Sequence, residues 1–419
     1  MSSGARQEFA VSWPVLIGAF LGVAAGITAL PYFTQGVFVP ALTHEFNWSR
    51  EQLSFIVLAG GIVLAIVSPF VGVLVDRFGV RVPLTCSFAA MILGFIALSR
   101  AGSAFVPFFI LQVVIFAAGS VTGPVAFTRV INQRFVAMRG LAIGVTLAGA
   151  GAMAVLSPPL IAQIIQHAGW RTAYLSIAAL MMVASTVALI LLWPVSGARE
   201  LEVAPQSREA RGSSAGANTL LFCRLLVTFL LLALGIGGFA FHMVPLLTDA
   251  GVPLTKAAQV QGMIGISVLV GRLGAGFLVD RFFAPRISAL IMVLAALGVA
   301  GLAFLGPSVA PACALLIGLA HGTEGDVIGY LTARYFELRH YGRLYGVFFG
   351  TFTLGLGLSP VLISRMQQAS GSYHLALWVS CSVLIVGAIS MVSLPRFGAT
   401  HEPAHCSSAT ARRPRRSSH

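Results

Sequence analysis

The sequence contains very few charged residues. Only 9% of its 419 residues are Asp, Glu, Lys or Arg, whereas about 25% is usual in soluble globular domains. This shortage excludes an ordinary soluble protein. Hydrophobic residues make up 57% of the chain, which is enough for roughly a dozen segments of about 20 residues, the length of a helix that crosses a bilayer. We therefore predict a protein embedded in a lipid bilayer.

The sequence also lacks the motifs of several catalytic classes. Its five cysteines include no CxxC pair, so neither a disulfide framework nor a zinc site is indicated. No Walker loop is present, which excludes ATP hydrolysis as an energy source. No nucleophile lies beside a recognisable base. We therefore expect a protein that is not an enzyme and that needs neither a metal nor another cofactor.

Acidic residues are half as frequent as basic ones, 13 against 26, which gives a net charge of +13. Such an excess indicates either nucleic-acid binding or basic cytoplasmic loops of a membrane protein. With a cytoplasmic N-terminus, 20 basic residues fall in inner segments, 5 in outer segments and Arg272 within a span. This bias predicts a multi-pass protein of the cell inner (plasma) membrane with both termini cytoplasmic, and no nucleic-acid partner.

The apolar runs form two sets of six, which are long and continuous and therefore favour helices over the strands of a barrel. Between the sets, Ser196–Asn218 lacks an apolar period. We predict an all-α membrane protein with twelve transmembrane helices in two pseudo-symmetric six-helix bundles. The predicted segments are a cytoplasmic N-terminus 1–12, an N-terminal bundle 13–194, a cytoplasmic linker 195–218, a C-terminal bundle 219–395 and a disordered basic cytoplasmic tail 396–419.

The two sets repeat each other. The heptapeptide Gly72–Phe78 recurs as Gly276–Phe282, and Gly123–Gly169 matches Gly325–Gly371 at a constant offset of 202 residues. Six predicted spans separate the copies. Because six is an even number, both halves have the same orientation and are related by an axis along the membrane normal.

Ionisable side chains deep in a span are costly and usually functional. Arg272 and Asp326 share a predicted depth, since each lies 8 residues before a charged residue at the inner surface. Glu324 lies two residues from Asp326, and His321 precedes Glu324 by three, so that these two side chains could share a proton. Two interpretations of Arg272 stay open. It binds a substrate carboxylate, or it forms a permanent ion pair with Asp326 or Glu324.

Two further residues in the spans are candidates for substrate binding. Tyr32 follows Pro31 in a first span that Gly22 and Gly26 make bendable. His242, in the seventh span, is either a ligand or a hydrogen-bonded packing residue. Outside the spans, Ser49 with Gln52 is typical of a helix capping box, although Asn47–Ser49 also fits a glycosylation sequon.

The segment GVLVDRFGVR, Gly72–Arg81, resembles the signature loop of the major facilitator superfamily, and Gly276–Arg281 resembles its second-half counterpart. The resemblance implies two bundles that rock around a central site. It also implies a gate latch that breaks when the inner side opens. A plain topology anchor is the alternative role. The residues concerned are Gly72, Asp76, Arg77, Gly276, Asp280 and Arg281.

A narrower resemblance is carried by His321–Phe336 with Gly342–Gly346, together with Gly169-Trp170-Arg171 and Trp48-Ser49-Arg50. These segments are similar to bacterial members of the monocarboxylate transporter and oxalate-formate antiporter branch, which carry organic anions. In that branch an arginine of the eighth helix holds the substrate carboxylate, and Arg272 matches it.

The sequence departs from that branch at three positions. The proton-binding aspartate of animal members is Val268 here, the lysine of their first helix is Tyr32, and the eleventh-helix lysine of the oxalate exchangers has no counterpart near Thr351. The coupling mechanism therefore does not carry over.

Together these features predict a monomeric secondary active transporter in the lipid bilayer. Its expected partners are a small organic anion, most simply a monocarboxylate, and a proton for symport or a counter-anion for exchange. An efflux pump for lipophilic compounds is the alternative, since phenylalanine is abundant and charge is sparse.

Overall fold

The computed structural model describes residues 3–135, 139–192, 215–336 and 341–397. Within these ranges the chain is helical and contains no strand. The first half contains α1 (Ser3–Ala25), α2 (Leu30–Phe46), α3 (Arg50–Phe78), α4 (Arg81–Leu98), α5 (Phe105–Gly119), α6 (Pro124–Arg134) and α7 (Arg139–Leu192). The second half contains α8 (Ala215–Ile236), α9 (Phe239–Asp249), α10 (Leu254–Arg281), α11 (Ala284–Leu305), α12 (Ala310–Tyr335), α13 (Tyr341–Ser370) and α14 (His374–Val392).

These helices account for twelve membrane crossings. In the described part of the chain, nine helical segments are long and apolar enough to span a bilayer. Two of them, Leu141–Leu192 and Ala284–Gly325, contain 52 and 42 residues, which is enough for two crossings each. Helix α10, with 28 residues, completes the set. The predicted all-α fold of two six-helix bundles is confirmed, although most of the predicted linker and the tail fall on residues 193–214 and 398–419, outside the described residues.

The first crossing is interrupted where α1 ends and α2 begins. The backbone N–H of Ile27 donates to Thr122 Oγ1 at 3.0 Å, so the amide that the break frees is satisfied inside the protein, as hydrocarbon surroundings require. A Cβ at Gly26 would lie 2.5 Å from the carbonyl oxygen of Thr122. The predicted bend is therefore confirmed, and glycine is needed at the break because the two backbones touch there.

The seventh crossing is interrupted in a similar way, between α8 and α9. The N–H of Gly238 donates to Ser359 Oγ at 2.9 Å, and that hydroxyl donates to the carbonyl of Leu234 at 2.6 Å. At each break, a side-chain hydroxyl from a neighbouring helix thus accepts the hydrogen bond of the freed backbone N–H.

Gly169 and Gly371 support the internal repeat. They lie 202 residues apart at the joints between the fifth and sixth and the eleventh and twelfth crossings. Their φ angles are +81° and +70°, a conformation that glycine adopts without a steric cost. The repeat detected in the sequence therefore corresponds to a repeated backbone turn.

The start of the second crossing is fixed by a capping box. The N–H of Gln52 donates to Ser49 Oγ at 3.0 Å, and the N–H of Ser49 donates to Gln52 Oε1 at 2.8 Å. The predicted capping box is confirmed. We call this side of the protein, where α2 ends and α3 begins, the Arg50 end, and the opposite side, where α10 ends, the Arg281 end.

The two halves touch along α3 with α13 and along α7 with α10. Backbone atoms of Leu58 lie 3.1 Å from a Cβ placed at Gly357, and the carbonyl of Thr353 lies 3.1 Å from a Cβ placed at Gly61. On the other side of the interface, a Cβ at Gly265 would lie 2.4 Å from the backbone of Ala154. Small residues therefore allow the backbones of the two halves to approach closely.

The described contacts between α3 and α13 are closest near the Arg50 end. Gly346, Gly350, Thr353 and Gly357 lie on one face of α13, since their spacing of three and four residues follows the helical period. A Cβ at Gly346 or Gly350 would meet no atom of the described chain within 4 Å. The described contacts between α3 and α13 therefore lie in the part nearer the Arg50 end.

Candidate functional site

Aromatic rings from the two halves meet at the centre of the interface. Tyr32 and Phe33 follow the break in the first crossing, and His321 lies on α12. The rings of Tyr32 and His321 are stacked, with centroids 6.0 Å apart and planes at 23°. Phe33 contacts the same imidazole edge-on, also at 6.0 Å. The imidazole thus lies against two rings of the opposite half.

Two charged groups of the second half lie near this stack. His321 and Glu324 are buried, with only 6% and 8% of their surfaces exposed. Arg272 of α10 lies within electrostatic range of His321, and Glu324 lies within electrostatic range of Tyr32. One guanidinium and one carboxylate therefore lie beside an imidazole and a phenol in largely apolar surroundings.

One hydrogen-bond donor of Arg272 has no acceptor among the described residues. Its Nε is buried and makes no hydrogen bond within the described residues. A guanidinium offers five N–H donors in a fixed fork that matches a carboxylate. The predicted pairing of Arg272 with Asp326 stays a prediction, because the side chain of Asp326 lies outside the structural description.

Gln261 closes the cluster toward the Arg50 end. It lies eleven residues before Arg272 on α10, about three turns along nearly the same face. Its Nε2 donates across the interface to the carbonyl of Phe33 at 3.4 Å and also donates to the carbonyl of Ala240. Sequence reasoning missed Gln261, because an amide in an apolar run carries no distinctive pattern.

His242 belongs to a second cluster, at the Arg50 end. It is 1% exposed, and its Nε2 lies 2.9 Å from the carbonyl oxygen of Pro360. Its Nδ1 lies 3.3 Å from the Tyr373 hydroxyl. That hydroxyl accepts a hydrogen bond from Arg50 at 3.0 Å, and Arg50 forms an ion pair with Asp249 through both of its terminal nitrogens.

Further bonds hold the two halves together at this end. The hydroxyls of Ser54 and Ser364 lie 2.7 Å apart, and Arg365 donates to Glu51 at 2.7 Å. We call the bonds of Arg50, Glu51 and Ser54 to the second half the Arg50-end latch. The sequence did not indicate this latch, because its partners are up to 323 residues apart.

The Gly-Trp-Arg segment that follows the fifth crossing is fixed within the first half. Arg171 donates to Glu45 at 2.7 Å, and the indole N–H of Trp170 donates to the same carboxylate. The guanidinium lies over the Trp170 ring at 4.3 Å. This motif therefore joins the first and sixth crossings and does not line the central cluster.

The signature loops lie at the Arg281 end, opposite the Arg50-end latch. Arg77 and Arg281 are exposed there. The structure does not describe the side chains of Gly72, Asp76, Gly276 and Asp280, so their gating role stays a prediction. The described residues contain no group of His, Cys, Asp or Glu that could hold a metal ion.

Comparisons with known proteins agree with this architecture. The family described as Major Facilitator Superfamily matches residues 21–360. Monocarboxylate transporter 13 of Bos taurus is 27% identical over 400 residues, which cover 92% of this chain and 89% of the bovine protein. Fujikurins efflux protein of Gibberella fujikuroi is 24% identical over 344 residues, which cover 80% of this chain and 71% of the fungal protein.

A solved structure shows the same fold. The crystal structure of a D-xylose-proton symporter superimposes with a TM-score of 0.71 at 15% identity, over 94% of this chain and 99% of the other. At this identity the likeness concerns the fold alone, and any function must be argued from the residues of the site.

Proposed function

The chain belongs to the Major Facilitator Superfamily, and from this membership we propose that it carries a small organic anion, a monocarboxylate, across the membrane with a proton. It is a multi-pass membrane transporter and not an enzyme. Its sequence relatives include monocarboxylate transporters that match 92% of its length. The names of these relatives support a monocarboxylate as the proposed substrate.

The observation that carries the proposal is the guanidinium of Arg272. It lies at the interface of the two halves, next to buried polar groups, and its Nε has no described acceptor. A substrate carboxylate would supply that acceptor and neutralise the charge. Binding by charge-assisted hydrogen bonds in a place with little water is strong, because water competes poorly there.

Tyr32, Phe33 and Gln261 are proposed to recognise the rest of the substrate. Tyr32 and Phe33 come from the first half, and Arg272 comes from the second. A substrate held between them would contact both halves at once, so binding would depend on how closely the halves approach. This dependence links occupancy of the site to the conformational change.

Glu324 and His321 are proposed to hold the coupled proton. A carboxylate near a guanidinium is stabilised in its charged form by that guanidinium. When the anion binds Arg272, this stabilisation weakens and Glu324 would take up a proton. His321 is close enough to Glu324 to exchange that proton with it. Anion and proton would then cross together, with little net charge moved into the apolar interior.

The conformation of the protein in this structure corresponds to one stage of such a cycle. The Arg50-end latch is closed. If both termini are cytoplasmic, as the distribution of basic residues predicts, the latch lies on the outer side and this state is closed to the outside. The rocking motion would open the Arg50 end.

A second candidate function is efflux of lipophilic compounds. The fungal relative named as an efflux protein and the aromatic rings around His321 favour it. In that case the aromatic rings would contribute more to binding than Arg272, and direction would follow the gradient of the driving ion.

Counterflow in proteoliposomes tests the proposal. Liposomes loaded with unlabelled lactate should take up labelled lactate, and Arg272→Gln should reduce the rate roughly tenfold or more, the loss expected for a charge-assisted hydrogen bond. Arg100→Gln, which removes an exposed arginine at the Arg50 end, is the control. Undiminished exchange in Arg272→Gln, or exchange only of lipophilic compounds, contradicts the carboxylate proposal.

A further inference from the structure

The side chain of His242 connects the links between the two halves at the Arg50 end. Ser364 Oγ lies 3.1 Å from its Nε2, and the same hydroxyl bonds to Ser54 of the first half. The Tyr373 hydroxyl lies 3.3 Å from its Nδ1 and accepts from Arg50 of the first half. Ser364 and Tyr373 therefore each connect the imidazole, in the second half, to a residue of the first half.

The hydrogen-bond partners determine where the imidazole carries its proton. Nε2 faces the carbonyl of Pro360, which only accepts, so Nε2 is the protonated nitrogen. Burial raises the pKa of Tyr373 to about 12, so its hydroxyl keeps its proton. Because that oxygen already accepts from Arg50, its own proton is donated to Nδ1. The closed latch thus contains an ordered series of donors from Arg50 through Tyr373 to a neutral His242.

A second proton on His242 disturbs this arrangement in two ways. It converts Nδ1 from an acceptor to a donor, so the Tyr373 hydroxyl loses the group to which it donates. It also places a positive charge beside Arg50, whose charge is already matched by Asp249. The other charged groups of the latch, Glu51 and Arg365, pair with each other and offer no compensation.

We propose that His242 is a proton-binding site that controls the Arg50-end latch, and that proton uptake there favours opening of that end. In the closed state the ring is 1% exposed, and a charge on it would be poorly solvated. In an open state water would reach the ring. The proton therefore binds the open state more strongly, and by linkage acid favours opening. This site is distinct from the central cluster and does not depend on which anion is carried.

The distance across the Arg50 end measures the latch without any substrate. Spin labels on Arg100→Cys of the first half and Lys256→Cys of the second, both exposed at this end, would be placed in a chain whose five cysteines are replaced by alanine. In lipid nanodiscs we expect acidification from about pH 8 to about pH 5 to raise the longer-distance population roughly threefold or more.

Two histidine variants identify the responsible group. In His242→Gln the amide still donates to Pro360 but cannot take up the proton, so the acid response should disappear and the short distance should persist. His374→Gln, which removes an exposed histidine at the same end, should respond like the parent. An acid response of unchanged size in His242→Gln, or its absence in the parent, overturns the proposal.

Tyr373→Phe provides a test that leaves His242 in place. It removes the hydroxyl between Arg50 and the imidazole, so the longer distance should already be more populated at about pH 8 than in the parent. An unchanged distribution at that pH also overturns the proposal. None of these measurements involves lactate, so a failed carboxylate proposal would leave their outcome unaffected.

Discussion

The stacked rings of Tyr32 and His321, 6.0 Å apart at 23°, join the two halves of the transporter beside its central arginine and glutamate. The phenol comes from the first half, just after the break in its first crossing. The imidazole comes from the second half, three residues before Glu324. Any rocking of the halves must separate or slide these rings, so this stack reports directly on the transport cycle.

The contribution of the stacked ring of Tyr32 to transport can be separated from the contribution of its hydroxyl. Tyr32→Phe keeps the ring, and we expect lactate counterflow to fall less than roughly threefold. Tyr32→Ala removes the ring contact, which is worth about 0.5–1.5 kcal/mol beyond the buried area, and counterflow should fall roughly tenfold. Equal rates in Tyr32→Ala and the parent would contradict a role for the ring.

Proton coupling should depend on Glu324. We expect Glu324→Gln to lose accumulation of lactate driven by an inward proton gradient while it keeps counterflow, because exchange needs no net proton movement. Uptake and counterflow would be measured in the same proteoliposomes across about pH 5 to about pH 8. Gradient-driven accumulation that survives in Glu324→Gln would show that the proton is carried elsewhere.

Much of this arrangement follows from local sequence. The twelve crossings follow from apolar runs, and the bend near Gly26 and the cap at Ser49 follow from residue types whose local conformations are well known. Arg272, His321 and Glu324 stood out because ionisable groups are rare in spans. Local patterns of this kind need no knowledge of long-range contacts.

Contacts between distant segments could not be predicted in the same way. His242 was one lone histidine in an apolar helix, and nothing near it in the chain indicates Tyr373, 131 residues away. The ion pair of Arg50 with Asp249 spans 199 residues. Both depend on how the halves pack, and both residues of the pair lie at helix ends, where charges are ordinary.

The break in the first crossing offers a test of stability. Thr122→Val removes the acceptor of the Ile27 amide and keeps the side-chain volume, so a buried N–H is left without a partner at a cost of about 1–3 kcal/mol. We expect a lower melting temperature in detergent. Thr172→Val is the control, because that exposed hydroxyl donates to the nearby carbonyl of Ala168 and water can replace this bond. Equal melting temperatures for the two variants would contradict the role assigned to Thr122.

Substitution by alanine should have different effects on stability at two glycines of α10. A Cβ at Gly265 would lie 2.4 Å from the backbone of Ala154 in the opposite half, whereas at Gly274 it would meet no described atom within 4 Å. Gly265→Ala should therefore lower the melting temperature and slow counterflow by forcing the halves apart. Gly274→Ala should be neutral or stabilising by up to about 1 kcal/mol, since alanine favours helix. A stabilising Gly265→Ala would show that the halves do not touch there.

Reversing the charges of Arg50 and Asp249 tests the latch as a pair. Arg50→Asp and Asp249→Arg each place like charges together across the interface, so each variant should shift the Arg100–Lys256 spin-label distribution toward the longer distance. The double variant restores opposite charges, and we expect it to recover much of the short distance, with a coupling free energy of about 1 kcal/mol for this partly exposed pair.

Arg171→Gln is the control for that reversal. It breaks an ion pair with Glu45 that lies at the same end but within one half, so it should leave the distance distribution unchanged even if it lowers stability. Because the Arg50 pair is partly screened by water, its effect should also shrink at high salt. Additive effects of the two reversals, with no recovery in the double variant, would mean that Arg50 and Asp249 do not hold the halves together.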